Sequence, residues 1–372
     1  MKEAEASLRS ARMAYLPSLS LTPQGQVSTY DGSRAAKTYN IALSAEWELD
    51  LAGRLTATKR GAEATAGMYR AAEQAVKTQL IATIANSYYH LLTLDAQLDV
   101  SQRSLEAWRE TVRTLEARMD VGEANEAAVS QATANMLSVE SQICTLKQQI
   151  VVQENSLSVL TGQRLGSISR STLTAQAFPD SLCHGMPLNQ LSRRPDVRQA
   201  ELSLQSAFYD TRAAQSSFYP QITLSGTLGW ANSDGGMIVN PAKWLANALG
   251  SIVQPLFNKG RNTARLRIAE AQQEEALVSF RQQLLKAGAE VNDALTQWQS
   301  ADRRIDICRR QTAALERTVE STMLLMQHSE QASYLEVLTA RQSLLQAELA
   351  ERQEMFNKIQ GIINLYHAVG GM

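Results

Sequence analysis

Few of the reactive side chains in this 372-residue sequence lie at spacings that catalysis or metal binding would require. Its 4 histidines are scattered, and its 3 cysteines form no Cys-X-X-Cys motif. The sequence also lacks a nucleophile elbow and a phosphate-binding loop. We therefore predict that the protein is not an enzyme, that it holds no metal or cofactor, and that no disulfide framework supports it.

The most regular pattern of charge is a set of acids on alternate residues, Glu46, Glu48 and Asp50. Apolar and polar residues alternate from Tyr39 to Leu51, which is the period of a β-strand with one apolar and one polar face. If that strand closes into a membrane barrel, its polar face lines a water-filled lumen. We therefore expect the three acids to face the lumen, either as solvated charges or with a selective role.

The overall composition is that of a helical protein with almost no net charge. The 36 basic and 37 acidic residues leave a net charge of −1, and they form no charged block, which argues against a nucleic-acid partner. Aromatic residues make up only 6% of the chain, which suits long helices. No run of about 18 apolar residues occurs, so the sequence predicts no transmembrane helix.

Long helices are permitted because no proline occurs in residues 24–178 or after residue 255. Apolar and small residues recur at alternating steps of four and three from Leu80 to Met119, which is the heptad pattern of packed helices. Gly122 interrupts this pattern before a second run begins, so the sequence predicts an antiparallel helical hairpin. The pattern then recurs at one constant offset, with Leu80 corresponding to Ala287, which indicates an internal duplication.

The duplication predicts two structural repeats. The first repeat, 1–180, contains a partial helix, a β-hairpin at 18–50 and a long helical hairpin at 54–162. The second repeat, 181–372, contains a helix at 195–217, a β-hairpin at 221–255 and a long helical hairpin at 260–368. When the first repeat is aligned with the second, Met1 falls inside the helix that opens the first repeat. We therefore expect an upstream segment to complete that helix, and we expect a chain starting at Met1 to assemble poorly.

Two hairpins supply four strands, too few for a closed barrel, and a strand in lipid can have no free edge. Three copies would supply twelve strands, enough for a barrel with a polar lumen. The predicted fold class is mainly α with a small β portion: long helical hairpins plus two β-hairpins, in a trimer that forms a 12-stranded β-barrel continued by an α-helical barrel. The alternative is a soluble coiled-coil structural protein with capping sheets, but their exposed apolar face would aggregate.

Several motifs resemble those of one family, the TolC-like outer-membrane efflux channels, and within it the lipoprotein branch that serves resistance-nodulation-division pumps. Residues 191–201, with Arg193-Arg194-Pro195-Asp196-Val197 at their centre, resemble the "RRPDVRxAE" opening of that branch's second repeat. Residues 213–222 resemble "ARAAFFPxI", residues 254–261 resemble "QPIFDGGR", and residues 48–54 resemble "WELDLFGR". The motifs occur in the family's order along essentially the whole chain.

The resemblance implies a homotrimeric exit duct in the outer membrane of a Gram-negative bacterium, with its helical part in the periplasm. Such a duct passively exports drugs or other small molecules that it receives from an inner-membrane pump and a periplasmic adaptor protein. The implied partners are that adaptor, that pump and outer-membrane lipid, with no nucleic acid. The alternative within the family is a duct for polypeptide secretion of type I.

The resemblance also implies two functional sites at the turns of the helical hairpins. The first turn, which resembles "VGxxxxxD" with Ala128 in place of the aspartate, is the expected adaptor-docking site, with candidates Val121, Gly122, Glu123 and Asn125. The second resembles "GxxSYLEVL", with Glu330 in place of the glycine, and is the expected gate of the periplasmic aperture. Its candidates are Glu330, Gln331, Ser333 and Tyr334. Three acidic side chains around a narrow pore would attract cations.

Overall fold

The computed structural model of the chain describes residues 1–28, 36–176, 188–232, 244–328 and 334–371. Within these ranges the helices are α1 (Lys2–Met13), α2 (Arg54–Asp120), α3 (Glu126–Thr161), α4 (Pro195–Ser216), α5 (Arg261–His328) and α6 (Tyr334–Ala368). The strands are β1 (Ser18–Ser28), β2 (Ala36–Leu49), β3 (Gln221–Asn232) and β4 (Trp244–Val253). Short 3-10 segments at Leu173–Ala175 and Leu188–Arg193 lie between α3 and α4.

These strands form one antiparallel sheet in the order β1-β2-β3-β4. The central pair, β2 and β3, comes from the two different predicted repeats, and residues 39–49 pair with residues 222–232. Within the described ranges, β1 and β4 each pair on one side only. The sheet of a single chain therefore has two open edges.

The register gives the sheet one apolar and one polar face, because residues directly opposite each other share a face. An apolar row crosses the four strands through Leu21, Leu43, Leu228 and Ala246, and a polar row crosses them through Ser20, Ser44, Thr227 and Asn247. The apolar face is uncovered in the single chain, since Leu21 is 67% and Leu43 is 43% exposed. The strand β4 fits the pattern less well, because Leu249 lies opposite Ser225 on the polar face.

One compact unit of the chain consists of residues 1–74 and 195–285. In this unit α4 packs against both α2 and α5. The hydroxyl groups of Thr65 on α2 and Ser206 on α4 form a hydrogen bond of 3.0 Å. On the other side, the hydroxyl of Thr211 donates to the carbonyl of Ala269 on α5 at 3.2 Å. Small and hydroxyl side chains therefore let these three helices approach closely.

The second compact unit consists of residues 75–194 and 286–372. Its main core contains predicted heptad positions, where Trp108 and Leu115 of α2 pack with Ala132 of α3 and Leu338 of α6. Three buried residues of α5 are alanines, Ala287, Ala294 and Ala301, while Ile305 is also buried. Part of the buried surface of α5 is therefore formed by smaller side chains than that of α2.

The fold class is confirmed in its elements: long antiparallel helical hairpins accompany a small antiparallel sheet. The division into repeats 1–180 and 181–372 remains a prediction. In the part of the chain that the structure describes, no helix is both long enough and apolar enough to cross a membrane.

Gly361 of α6 lies where α5 passes closest. A Cβ atom at this position would lie 2.9 Å from the backbone nitrogen of Trp298, which cannot move aside as a flexible side chain would. We expect Gly361→Ala to lower the free energy of unfolding by about 1–3 kcal/mol, the usual cost of overpacking. The loss is measured as a lower Tm by circular dichroism of the detergent-purified protein.

The matched control is Gly288→Ala on α5, where the added methyl group would meet nothing within 4 Å. Alanine favours the helix over glycine by about 1 kcal/mol, so this variant is expected to be neutral or slightly stabilised. Equal decreases of Tm in the two variants would contradict the close approach of α5 and α6.

Candidate functional site

The first predicted site is the exposed turn between α2 and α3. Gly122 has a φ of +82°, a left-handed conformation that glycine adopts without strain. The side chain of Asn125 accepts a hydrogen bond of 2.8 Å from the N–H of Ala128 and so caps α3. Val121 is left 70% exposed. The glycine conformation and the Asn125 cap thus fix the turn, which presents an apolar side chain to solvent.

The second predicted site begins before α6, and the structure describes only its last residue, Tyr334. The other candidates, Glu330, Gln331 and Ser333, lie outside the described residues. The hydroxyl group of Tyr334 donates a hydrogen bond to the main-chain carbonyl of Glu123. The first residue of α6 is therefore bonded to the turn between α2 and α3.

Side-chain packing supports the same contact. Tyr334 lies with Ala124 and Val129 against the buried cluster that contains Leu115 and Leu338. The structure thus places Tyr334, one residue of the second predicted site, against the turn of the first. No periodic pattern could show this contact, because the two residues belong to different hairpins.

The three predicted lumen acids occupy unequal surroundings. Both carboxylate oxygens of Glu48 accept hydrogen bonds from the guanidinium of Arg54, with 2.8 Å between Nε and Oε1. The side chain of Glu46 forms no hydrogen bond or ion pair within the described ranges. Glu48 is therefore committed to the junction between β2 and α2, whereas Glu46 is free to interact with solvent or ions.

Asp50 holds the first turn of α2. Its carboxylate accepts hydrogen bonds from the N–H of Leu55 at 2.9 Å, the N–H of Thr56 at 2.8 Å and the hydroxyl of Thr56 at 2.6 Å. Burial alone would raise the pKa of Asp50, but these hydrogen bonds and the positive charge of Arg54 hold the pKa below its ordinary value. A carboxylate at a helix N-terminus is also favoured by the helix dipole.

Arg194, from the motif that carries the family resemblance, is a buried structural residue. Its guanidinium donates to the carbonyl of Ala368 at 2.7 Å, to the carbonyl of Ala287 at 3.4 Å and to the carboxylate of Glu290 at 2.5 Å. Asp196, in the same motif, accepts hydrogen bonds from the N–H of Val197 and from the amide of Gln283. Both residues support packing around the start of α4.

Sequence reasoning missed another structural arginine, the partly buried Arg170. Its guanidinium bonds to the carboxylates of Asp95 and Glu154, and the hydrogen bond with Asp95 raises its pKa above the usual range despite burial. These contacts tie the segment after α3 back to both helices of the first hairpin. Arg170 lies in an irregular segment, where spacing carries no signal of a long-range ion pair.

Within the part of the chain that the structure describes, no group of three or more histidine, cysteine or acidic side chains could hold a metal ion.

The sequence profile of the outer membrane efflux protein family matches residues 1–163 and 187–371. The cation efflux system protein CusC of Escherichia coli (strain K12) is 30% identical over 377 residues, which cover 100% of this chain and 82% of that protein. The pyoverdine export outer membrane protein OpmQ of Pseudomonas putida is 28% identical over 93% of this chain and 73% of its own length. The crystal structure of the outer membrane protein VceC from Vibrio cholerae superposes with a TM-score of 0.91 at 25% identity, covering 100% of this chain and 90% of that one.

Asp50→Asn tests the role of the carboxylate at the start of α2. We expect the variant to lose about 1 kcal/mol of stability at neutral pH, because the amide has no negative charge and one acceptor oxygen where the carboxylate uses two. Because the folded-state pKa is lower than that of the unfolded chain, the stabilisation by Asp50 is present above the ordinary pKa of 3.8 and is lost as pH falls through the folded value. The difference in Tm between wild type and variant should therefore narrow as the pH is lowered below 3.8.

Glu46→Gln is the control, since it removes an acid from the adjoining strand β2 without removing a described side-chain hydrogen bond. It should leave Tm nearly unchanged at both pH values. A constant difference between wild type and Asp50→Asn across the acid range would show that the carboxylate charge does not stabilise α2.

Proposed function

Since the chain belongs to the outer membrane efflux protein family, as the match to both of its halves shows, we propose that three copies form the exit duct of a tripartite efflux system. The protein is an outer-membrane efflux channel component, with its helical part in the periplasm, and the family resemblance seen in the sequence is confirmed. The proposal adds the trimer, the periplasmic adaptor and the resistance-nodulation-division pump.

One observation carries the trimer: the sheet has an uncovered apolar face and two open edges. In lipid, unpaired backbone N–H and C=O groups are too costly to leave open, so the edges of β1 and β4 need partners. Three sheets joined edge to edge give a closed 12-stranded barrel with the apolar row outside and the polar row inside.

The tryptophans mark the height of the apolar face. Trp47 and Ile41 lie six residues apart on β2, and Ile41 pairs with Trp230. At about 3.3 Å per residue the two tryptophan rows are separated by about 20 Å. An apolar band about 25 Å tall between aromatic girdles is typical of a membrane barrel. Because barrel strands tilt by about 35–45°, about 20 Å along the strand spans about 15 Å of the membrane, so the tryptophan rows fit within a band of this height.

A duct of this kind has no energy source of its own, so we assign it passive export of solutes that a pump delivers. Relatives are named for cation efflux and for pyoverdine export. These names favour small solutes over the polypeptides of the alternative type I secretion. Glu46, the one of the three acids without a described partner, is our candidate for a charge that faces the lumen.

Fractionation of cells that express the full-length gene product tests the duct. We expect a trimer in the outer-membrane fraction, and we expect it to retain the periplasmic adaptor after mild cross-linking. A soluble monomer or dimer would contradict the proposal.

The exposed turn between α2 and α3 is our proposed contact with the adaptor. Val121→Asp places a charge on this turn and should reduce the recovered adaptor by about tenfold or more, because burial of an unpaired charge is costly. Val159→Asp, at another exposed valine near the far end of α3, is the matched control. Equal loss of adaptor in both variants would show that the adaptor does not dock specifically at this turn.

We propose that the second turn is a gate formed by Glu330, Gln331, Ser333 and Tyr334. The hydrogen bond between Tyr334 and Glu123 supports this proposal. This bond holds the start of α6 against the other hairpin, so breaking it should favour an open aperture. Losing one neutral hydrogen bond of about 1 kcal/mol shifts an open–closed equilibrium about fivefold. We expect Tyr334→Phe to raise the frequency of channel opening in planar bilayers, measured as single-channel conductance, by a similar factor.

Tyr366→Phe is the matched control, because Tyr366 also lies on α6 and also donates its hydroxyl to a backbone carbonyl, that of Gly371, at 3.0 Å. It should leave the conductance unchanged. Unchanged conductance in Tyr334→Phe would remove Tyr334 from the gate.

A further inference from the structure

A cavity of about 940 Å³ lies within the unit formed by residues 1–74 and 195–285, between the first turns of α2 and the last turns of α4. It opens beside the end of β2 and the start of β3. Its lining residues include Leu51, Arg60, Tyr209, Arg212 and Tyr219. The cavity thus combines apolar surface with two guanidinium groups.

The two guanidinium groups are held by stacking on aromatic rings. The guanidinium carbon of Arg60 lies 5.9 Å from the ring centroid of Tyr209, and that of Arg212 lies 5.3 Å from the centroid of Phe208. The two rings meet edge to face at 5.4 Å, so they form one support. Stacking orients a guanidinium group while its N–H donors stay available.

Among the residues that the structure describes, no acid lines the cavity. Glu48 bonds to Arg54, and Asp50 bonds to the backbone of α2. The carboxylate of Asp210, which lies near Gly61, interacts with the charge of Arg265. Within the described ranges, Arg60 and Arg212 form no ion pair or hydrogen bond. The described lining of the cavity therefore carries two positive charges and no negative charge.

The cavity lies just beyond the end of β2 and the start of β3, where several apolar side chains are exposed. Leu51 continues the series of apolar residues that begins at Tyr39, and it is 71% exposed. Tyr219 and Phe218, just before β3, are also exposed. If the apolar face meets lipid, which rests on the proposed function, this is the level at which hydrocarbon gives way to headgroups, where amphipathic aromatic residues are enriched.

We propose that this cavity binds the phosphate headgroup of a phospholipid in the periplasmic leaflet of the outer membrane. Arg60 and Arg212 donate to the phosphate oxygens, a pairing that guanidinium groups make with good geometry. Leu51, Phe218 and Tyr219 contact the glycerol and the first methylene groups of the acyl chains. A bound lipid would fix the depth of each subunit in the membrane.

Native mass spectrometry of the delipidated full-length protein, titrated with phosphatidylglycerol, tests this site. We expect one tightly bound lipid per subunit in the wild type. Arg60→Gln with Arg212→Gln should weaken binding by at least about tenfold for each guanidinium lost, as expected for hydrogen bonds to a charged group. Arg60→Lys with Arg212→Lys keeps the charge but not the paired donors, so it should restore part of the affinity.

The control is Arg113→Gln with Arg310→Gln, which removes the same charge from exposed positions elsewhere on α2 and α5. It should bind lipid as the wild type does. Equal binding in all variants would overturn the proposal, as would displacement of the lipid by excess inorganic phosphate, which would indicate a site for the free anion. A wild-type trimer that binds no lipid because a neighbouring subunit covers the cavity would also overturn it.

The same spectra report the oligomeric state, which separates the two proposals. Absence of a trimer in the wild type would contradict the proposed duct. An intact trimer without bound phosphatidylglycerol would contradict the lipid site alone.

Discussion

The backbone of a strand edge must find hydrogen-bond partners, and this requirement governs the architecture of the protein. A four-stranded sheet with an apolar face can satisfy neither its edges nor that face within one chain. Pairing of β2 with β3 joins the two halves of the chain into one sheet and leaves only β1 and β4 for contacts with other copies. The sheet of one chain is therefore suited to form one part of the closed barrel proposed above.

The helices follow from a second requirement, that long surfaces pack without gaps. Among the buried heptad positions, α2 carries large side chains such as Trp108, whereas α5 carries three alanines together with Ile305. Gly361 lies against the backbone of α5, which only a residue without a side chain allows. The same spacing is therefore filled in two ways, by interlocking large residues in one helix and by close backbone approach in the other.

Much of this fold could be predicted from the sequence because its patterns are local. Period-two alternation located the strands and heptads located the helices, although Leu80 and Met119, at the ends of one predicted seam, are exposed. The pairing of β2 with β3, the bond between Tyr334 and Glu123, and the ion pairs of Arg170 depend on segments far apart in the chain. Those contacts require the three-dimensional register of the elements, which a periodic pattern does not contain. At Glu48 and Asp50 the alternation indicated the face of the strand but could not show the contacts with α2.

The contacts of Arg194 can be completed only late in the folding of the chain. Its guanidinium emerges from the ribosome in mid-sequence, yet one carbonyl that it bonds belongs to Ala368, in the last turn of α6. Until that turn has been synthesised and docked, the arginine has its acceptors on α5, Ala287 and Glu290, but lacks the carbonyl of Ala368, while its burial is opposed by desolvation. The native surroundings of Arg194 are therefore completed only by the last turn of α6, and a chain truncated before that turn would lack one of these three acceptors.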